Sequence, residues 1–228
     1  MLFECLNWMD VERYLERDDR VVVITGACEQ HGYLSLLTDV SIPLEVARRA
    51  CEREKVLVAP PLPFGVSPHF RAYPGTVSLS PEIFVGLVRE ILEELLRQGF
   101  RRILVNNGHG GNTGLLEPLL IELNSSHSDA HLRIFHWFHQ PVVGAIARDA
   151  GLQIDHANWA ENCSFTRVGP VPDEEKSPVD VPGVASAAAF REALGDGSFG
   201  GPYQAGDEVM DRIIAAATDA MIDALQDL

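Results

Sequence analysis

Three loops of the sequence carry histidine together with, or opposite, a carboxylate side chain. In GACEQHGYLSLLTD, residues 26–39, Glu29 stands two residues before His31, and Asp39 follows shortly downstream. The two later loops contain His109 in NNGHGGN, and Asp155, His156 and Glu161 in DHANWAEN. Imidazole and carboxylate together suit a first-row divalent ion such as zinc, manganese or iron, and no thiolate is required. One such histidine alone would indicate only a capped turn or a packed side chain, but three loops of this kind predict a metal site.

The glycine-rich loop NNGHGGNTG has a second interpretation, as a cradle for a phosphate group. However, it lacks the Lys-Ser/Thr pair of a P-loop, and Thr113 stands where a dinucleotide motif has its last glycine. The next strand ends in Phe138-His139 and not in an acid that could bind a ribose. A nucleotide site is therefore the weaker alternative. The stronger one is that Gly110 and Gly111 expose backbone N–H groups, which stabilise negative charge during a reaction.

Other side chains are candidates for contact with a substrate. The segment FGVSPHFRAYPGTVSLS, residues 64–80, follows the second predicted strand and contributes Ser67, His69 and Tyr73. His69 and Trp159 could hold a flat polar substrate. The alternative is that Tyr-Pro-Gly-Thr forms only a turn and that Trp159 only packs, as large aromatic side chains commonly do.

Hydrophobic patterns predict the elements that position these loops. Apolar runs predict strands at residues 20–25, 56–59, 102–105 and 132–138. Apolar periodicity predicts one helix at about 42–54, another that begins after Asn112, and a third from Pro141 to near Gly151. A further helix is predicted to begin at Pro81, with Ser80 as its N-cap, and to stop at Gly99. This alternation is typical of a three-layer α/β/α sandwich with a mainly parallel central sheet. Ligands of such sheets bind beyond the carboxyl ends of the strands, where the three loops lie.

The C-terminal third has a different composition. Residues 167–182 are proline-rich and charged, which predicts an ordered surface loop, and residues 207–228 predict a closing amphipathic helix. Too little chain follows the loop to form an independent domain. We therefore expect a single domain over residues 1–228.

Composition excludes several classes of partner. The 228 residues carry a formal net charge of −15, which disfavours nucleic acid and anionic lipid. The apolar stretches are shorter than the roughly 20 residues of a membrane helix, and the N-terminus is acidic where a signal peptide would be basic. The four cysteines are scattered without a CxxC pair, as suits reduced thiols. These features predict a cytoplasmic protein that binds neither nucleic acid nor a membrane.

Several segments, taken in order, resemble the creatininase (creatinine amidohydrolase) family. The matching residues are Glu29-Gln30-His31-Gly32, Thr38-Asp39, Gly65-Val66-Ser67, Pro74-Gly75-Thr76, Asn107 to Asn112, His156-Ala157 with Glu161, and Gly200-Gly201-Pro202. The resemblance implies an α/β/α sandwich, one or two divalent metal ions per subunit, and hydrolysis of C–N bonds in cyclic or formyl amides and related small molecules. It also implies a homo-oligomer, with a hexamer favoured.

The resemblance assigns roles to individual positions. The implied metal ligands are Glu29, His31, Asp39 and His109. Asp39 is the implied bridge between two ions. In creatinine-cleaving members a glutamate two residues beyond the last histidine completes the second site, but Gly111 stands there in this chain. Glu161 is expected to supply that carboxylate, and His156 matches a family histidine near the substrate that is suited to proton transfer.

The chain also departs from the family pattern. Residues 33–36 read Tyr-Leu-Ser-Leu where many relatives have His-Leu-Pro-Leu, and the spacing from Glu29 to Asp39 is one residue shorter than usual. Relatives tend to show His-Ala-Gly and Glu-Thr-Ser where this chain has His-Ala-Asn from His156 and Glu-Asn-Cys from Glu161. These changes keep the ligands but reshape the pocket, which disfavours creatinine itself as the substrate.

The resulting hypothesis is a metal-dependent amidohydrolase. The ion lowers the pKa of bound water toward ~7, the ion and the amides of Gly110 and Gly111 stabilise the developing negative charge, and His156 protonates the leaving nitrogen. The same chemistry could open a cyclic ketone or a lactone, which is one alternative. A nucleotide-binding oxidoreductase is a more distant alternative, and intact ligand positions disfavour a scaffold without activity.

Overall fold

The computed structural model describes residues 1–181, 183 and 185–228. At its centre lies a four-stranded sheet with the order β2-β1-β3-β4 and parallel pairing throughout. The strands are β1 (Arg20–Thr25), β2 (Leu57–Val58), β3 (Arg102–Asn107) and β4 (His131–Phe135). The register of β1 and β3 runs from Arg20 opposite Arg102 to Thr25 opposite Asn107. The two central strands therefore end at the same level, and the loops that follow them meet.

Helices cover both faces of the sheet. They are α1 (Trp8–Leu15), α2 (Thr38–Glu54), α3 (Pro81–Gln98), α4 (Thr113–Ser126), α5 (Pro141–Asp149), α6 (Ala187–Leu194) and α7 (Asp207–Gln226). Alternate residues of β1 point to opposite layers, as the pleat of a strand requires. Val22 and Ile24 pack with α2, α5 and α7, whereas Val21 and Val23 pack with α1, α3 and α4. The predicted three-layer α/β/α sandwich is confirmed.

Local signals explain both boundaries of α3. The side chain of Ser80 accepts a hydrogen bond from the backbone N–H of Ile83, and Gly99 ends α3 in the left-handed region with φ of 110°. Both features match the prediction for α3. The helix α2 begins at Thr38, earlier than the predicted 42, and places Asp39 in its first turn.

Other elements differ from their predictions. The fourth strand ends at Phe135 and not at 138, because a 3-10 turn over Trp137–His139 redirects the chain. The helices α1 and α6 were not predicted. The proline-rich loop predicted at 167–182 contains no helix among its described residues, and Pro182 lies outside them. No helix in the described part of the chain is long and apolar enough to cross a membrane.

Candidate metal centre

Four predicted ligands converge beyond the carboxyl ends of β1 and β3. Glu29 and His31 lie in the loop after β1, Asp39 in the first turn of α2, and His109 in the loop after β3. All four are buried. The Nδ1 atom of His109 lies 2.9 Å from Asp39 Oδ2 and 3.4 Å from Glu29 Oε1. These three side chains form the first candidate ligand group, with one ligand atom of each within 4.8 Å of the others.

A second group lies on the other side of Asp39. His31 Nε2 is 3.0 Å from Asp39 Oδ1 and 3.7 Å from Glu161 Oε1. Glu161 ends a 3-10 turn, and its other oxygen, Oε2, accepts a hydrogen bond of 2.7 Å from the backbone N–H of Ala157. Asp39 therefore directs one carboxylate oxygen to each group, which is the geometry that a bridging ligand requires.

Backbone contacts orient both ligand imidazoles. The Nδ1 atom of His31 lies 3.1 Å from the carbonyl oxygen of Glu29, and the Nε2 atom of His109 lies 3.0 Å from the carbonyl oxygen of Val66. A neutral imidazole that donates one N–H to a carbonyl has its other nitrogen free as a ligand. The free nitrogens, Nε2 of His31 and Nδ1 of His109, both face Asp39.

Charge pairing inside the cluster shifts the pKa of several groups. Burial alone would lower the pKa of His31, but the carboxylates of Asp39 and Glu161 raise it to about 10. Burial alone would raise the pKa of Asp39, but His31 and His109 hold it well below its ordinary value. Burial raises the pKa of Glu161 to about 7. Without another cation, protons on the imidazoles must compensate the buried negative charge.

The donor set fits a divalent metal ion. Glu29 Oε2 and Asp39 Oδ2 are buried and have no hydrogen-bond partner among the described residues. If His109 donates its Nε2–H to Val66, its Nδ1 lone pair faces Asp39 Oδ2 at 2.9 Å, an unfavourable contact unless a cation lies between them. Three carboxylates and two imidazoles are ligands for zinc, manganese or iron.

Close backbone packing shapes the loop after β3. A Cβ atom on Gly111 would lie 2.4 Å from His109 Nε2 and 2.4 Å from the carbonyl oxygen of Val66. This position therefore cannot carry a side chain without displacing His109, which is consistent with Glu161 as the carboxylate of the second group. Gly110 and Gly111 line the cavity described below, as expected, and their amides begin the 3-10 turn Gly110–Asn112.

His156 lies beside the two groups that share Asp39, and with Glu29 and His31 it forms a third set of potential ligands. Its Nδ1 atom is 3.7 Å from Glu29 Oε1, and its ring stacks on Phe70 at a centroid distance of 4.6 Å. Its Nε2 atom lies 2.8 Å from Gln30 Nε2 and 3.1 Å from the Gln30 carbonyl oxygen. Gln30 thus offers this nitrogen both a donor and an acceptor. Burial, together with the charge of His31, lowers the pKa of His156 to about 4, so the ring is neutral near pH 7.

A cavity of about 590 Å³ opens onto both ligand groups. Ser67 and His69, two predicted substrate contacts, line it, and Ser67 Oγ lies 3.3 Å from His109 Nε2. The other two predicted substrate contacts, Tyr73 and Trp159, do not line this cavity. Trp159 is fully buried in the core, where its indole N–H donates to the Gln153 carbonyl oxygen at 2.7 Å.

Sequence reasoning missed several residues around the site. Gln30 belongs to the motif Glu29-Gln30-His31-Gly32, but nothing in that motif predicts its contact with His156. The aromatic lining of the cavity was also missed, because its members come from distant segments. Those residues are Phe70, Trp137, Phe138, Phe190 and Phe199. No local pattern places residues of the C-terminal third beside a loop that follows β2.

The fold and the site define the class: an α/β/α protein with a candidate metal centre at the ends of its central strands. The creatininase family model, described as creatinine amidohydrolase, matches residues 4–225. The chain therefore belongs to the creatininase family, as predicted.

Individual relatives agree with this assignment. The chain is 36% identical to the creatinine amidohydrolase of Pseudomonas putida over 115 residues, 47% of this chain and 44% of that protein. It is 33% identical to the mycofactocin precursor peptide peptidase of Mycobacterium tuberculosis over 121 residues, 48% of each. The matched segments thus span a little under half of these relatives. A solved structure named "Creatininase Mn" is similar in fold, with a TM-score of 0.84 and 25% sequence identity. The alignment covers 99% of this chain and 97% of the chain in that structure.

Proposed function

We propose that the chain is a metal-dependent hydrolase of C–N bonds in a small cyclic amide or a formamide-type substrate. The observation that carries this proposal is the position of Asp39, whose two carboxylate oxygens face two different candidate ligand groups. Residues 1–228 would act as one metal-hydrolase domain, since the ligands come from both central strands and Glu161 from beyond β4.

The ligands divide between two ions. Glu29, Asp39 and His109 would hold the first, and His31, Asp39 and Glu161 would hold the second. Bound divalent ions supply Lewis-acid chemistry, since they polarise a carbonyl group and lower the pKa of water. Zinc, manganese and iron all suit the oxygen and nitrogen donors present. Membership of this family and the name of the manganese structure support the assignment.

His156 is positioned to move a proton at its Nδ1 atom. This nitrogen faces the ligand cluster 3.7 Å from Glu29, while Gln30 holds the opposite nitrogen. This role requires the tautomer in which Nε2 carries the ring proton and donates it to the Gln30 carbonyl oxygen, while the Gln30 side-chain amide donates to Gly197. In that tautomer the Nδ1 lone pair can accept the proton that attacking water loses, and Nδ1 can return it to the leaving nitrogen. The carbonyl oxygen of Gln30 accepts the Nε2–H of the intermediate imidazolium. The backbone amides of Gly110 and Gly111, which border the cavity, would stabilise negative charge on the substrate oxygen.

One experiment tests the proposal. Protein purified without oxygen is analysed for metal content, and the metal found is restored before a screen of cyclic amides and formamides. Lactones and cyclic ketones form a second set, because the same chemistry serves those carbonyl groups, and short peptides form a third, because the mycobacterial relative is named a peptidase. Hydrolysis that depends on metal supports the proposal. Protein that binds no divalent ion, or that binds a dinucleotide with saturation, refutes it.

We also infer a closed homo-oligomer, with a hexamer favoured. This inference rests on family membership. Multi-angle light scattering should give a particle several times larger than the 25.0 kDa chain. A monomeric mass at the protein concentration used for assays would contradict it.

A further inference from the structure

The cavity has a strongly aromatic lining outside the candidate ligands. Phe70 lies 6.3 Å from Phe199 and stacks on His156, measured between ring centroids. Trp137 and Phe138 form another pair at 5.6 Å, in the segment after β4. Phe190 completes the aromatic set and stacks on His69 at 4.5 Å. Rings from three separate segments thus border one space.

The space is large for a compact polar amide. Cavities of about 300–1,000 Å³ bury drug-sized ligands, and this one measures about 590 Å³. Phe138 and Phe199 are only half-buried, so part of their surface faces the cavity. A compact polar amide would leave these rings in contact with water. A ligand with an apolar group would remove that surface from water, which favours binding.

Apart from histidines, the ionisable side chains around the cavity are all acidic. Among the described residues that line it, none is lysine or arginine. The acidic lining residues are the three candidate ligand carboxylates and Asp155, which is exposed. An anionic group among the rings would lose its hydration without gaining a cationic partner, which is unfavourable. The cavity therefore disfavours a carboxylate or phosphate on the part of the substrate that contacts the rings.

We propose that the substrate is an amide whose non-reacting part is an aromatic ring, or an apolar group of similar bulk, without negative charge. This inference rests on the proposed function, because the reacting carbonyl must lie at the ligand cluster. Phe190 and Phe199 are then residues that determine specificity, although they lie far in sequence from every candidate metal ligand.

Lys176 makes several contacts with the segment that carries these two rings. The Nζ atom of Lys176 donates to the carbonyl oxygens of Leu194 and Ser198 at 2.6 and 2.7 Å and pairs with Asp196 at 2.5 Å. Arg191 also donates to the carbonyl oxygen of Ala72 at 2.7 Å, next to the loop that carries Phe70. These contacts fix the segment that carries Phe190 and Phe199 beside the loop that carries Phe70.

Three metal-binding hydroxamates can test the proposal by calorimetric titration of the metal-loaded protein. Acetohydroxamate probes the metal alone, benzohydroxamate adds an uncharged ring, and 4-carboxybenzohydroxamate adds an anionic group to that ring. We expect benzohydroxamate to bind at least about tenfold more tightly than acetohydroxamate, because burial of the ring adds apolar contact. We expect the carboxylate to remove most of that gain.

Substitutions of individual rings test which residues cause the preference for benzohydroxamate. Phe199→Ala and Phe190→Ala should each reduce the preference for benzohydroxamate by about threefold or more while the affinity for acetohydroxamate is unchanged. Phe165→Ala is the matched control, because Phe165 is 40% exposed and does not line this cavity. Melting curves should confirm that each variant is folded. The comparison of the three hydroxamates on the unmodified protein does not depend on the variants.

The outcomes separate the two proposals. Equal affinities for acetohydroxamate and benzohydroxamate, or full affinity for the carboxylated ring, would overturn the inference about the substrate while the metal centre stands. A preference that survives both cavity variants would overturn the assignment of Phe190 and Phe199. If none of the hydroxamates binds protein that has been shown to contain metal, the proposed function itself fails, and this inference fails with it.

Discussion

Replacement of Asp39 by asparagine should separate a bridged two-ion centre from two independent sites. The substitution keeps the size of the side chain but removes the charge that lies between His31 and His109. Each candidate group would keep two of its three ligands. Loss of a residue that only supports a ligand costs about 10–100-fold in metal affinity, so loss of this shared ligand should cost at least about 100-fold at each group.

This loss can be expressed as a change in melting temperature. An ion present at 1,000 times its Kd stabilises a protein by about 4.1 kcal/mol, and a 100-fold weaker site at the same concentration contributes about 1.4 kcal/mol. For a chain of 228 residues, 1 kcal/mol corresponds to about 2–4 °C. Metal should therefore raise the melting temperature of the unmodified protein by about 8–16 °C per ion, and that of Asp39→Asn by about 3–6 °C.

The assay compares each protein with and without metal. The metal-induced rise is the relevant quantity, because Asp39→Asn also removes the partner of two buried histidines in the metal-free protein. Elemental analysis after dialysis should show that the variant loses metal. Asp155→Asn is the matched control, since Asp155 lines the same cavity but belongs to neither ligand group. If Asp39→Asn keeps the metal content and the thermal response of the unmodified protein, the bridging role is wrong.

Three further predictions concern other residues. His156→Ala should keep near-normal metal content and lose about 10²–10⁴-fold in single-turnover rate, as for a residue that transfers a proton; loss of metal in this variant would instead identify His156 as a ligand. Lys176→Met should lower the free energy of unfolding in urea by about 1–3 kcal/mol, because two carbonyl groups and Asp196 lose their partner; an unchanged urea midpoint would show that Lys176 does not hold the segment. Asp18 accepts hydrogen bonds from Arg20 at 2.7 Å and Arg102 at 3.0 Å, and although burial alone would raise its pKa, these partners hold the pKa below its ordinary value. Its contribution is therefore fully present above the unfolded pKa of about 3.9 and is lost as the pH falls through the lower pKa of the folded protein. Asp18→Asn should cost about 1 kcal/mol at pH 7 and progressively less in urea titrations below pH ~3.9; a cost that does not decrease with falling pH would contradict this linkage.

The sheet and its main helices could be predicted because their signals are local. The run RVVVIT is buried on both faces of the sheet, as its continuous apolar pattern indicates. The bounds of α3 follow from Ser80 and Gly99, which act within one turn of the helix ends. The start of α1 has a comparable local signal, since Asn7 and Asp10 form a capping box there.

The candidate site was only partly predictable. Residue type and position at strand ends were enough to bring Glu29, His31, Asp39 and His109 together. The same reasoning could not distinguish Trp159, which packs in the core, from a ring that lines the cavity, because both lie in loops near the site. It also could not place Phe199, since the path of the C-terminal third depends on long-range contacts such as those of Lys176.

The backbone around Asp39 has a consequence for how a metal ion would be acquired. A Cβ atom on Gly26 would lie 2.5 Å from the carbonyl oxygen of Asp39, and one on Gly108 would lie 2.0 Å from the same atom. The glycines that follow β1 and β3 therefore pack directly against the main chain of Asp39, without an intervening side chain. The main chain of Asp39 is thus held by the two strands themselves, so little chain entropy would be lost at this residue when an ion binds. Because this main chain cannot shift, the shared carboxylate favours ions whose size and geometry match its position.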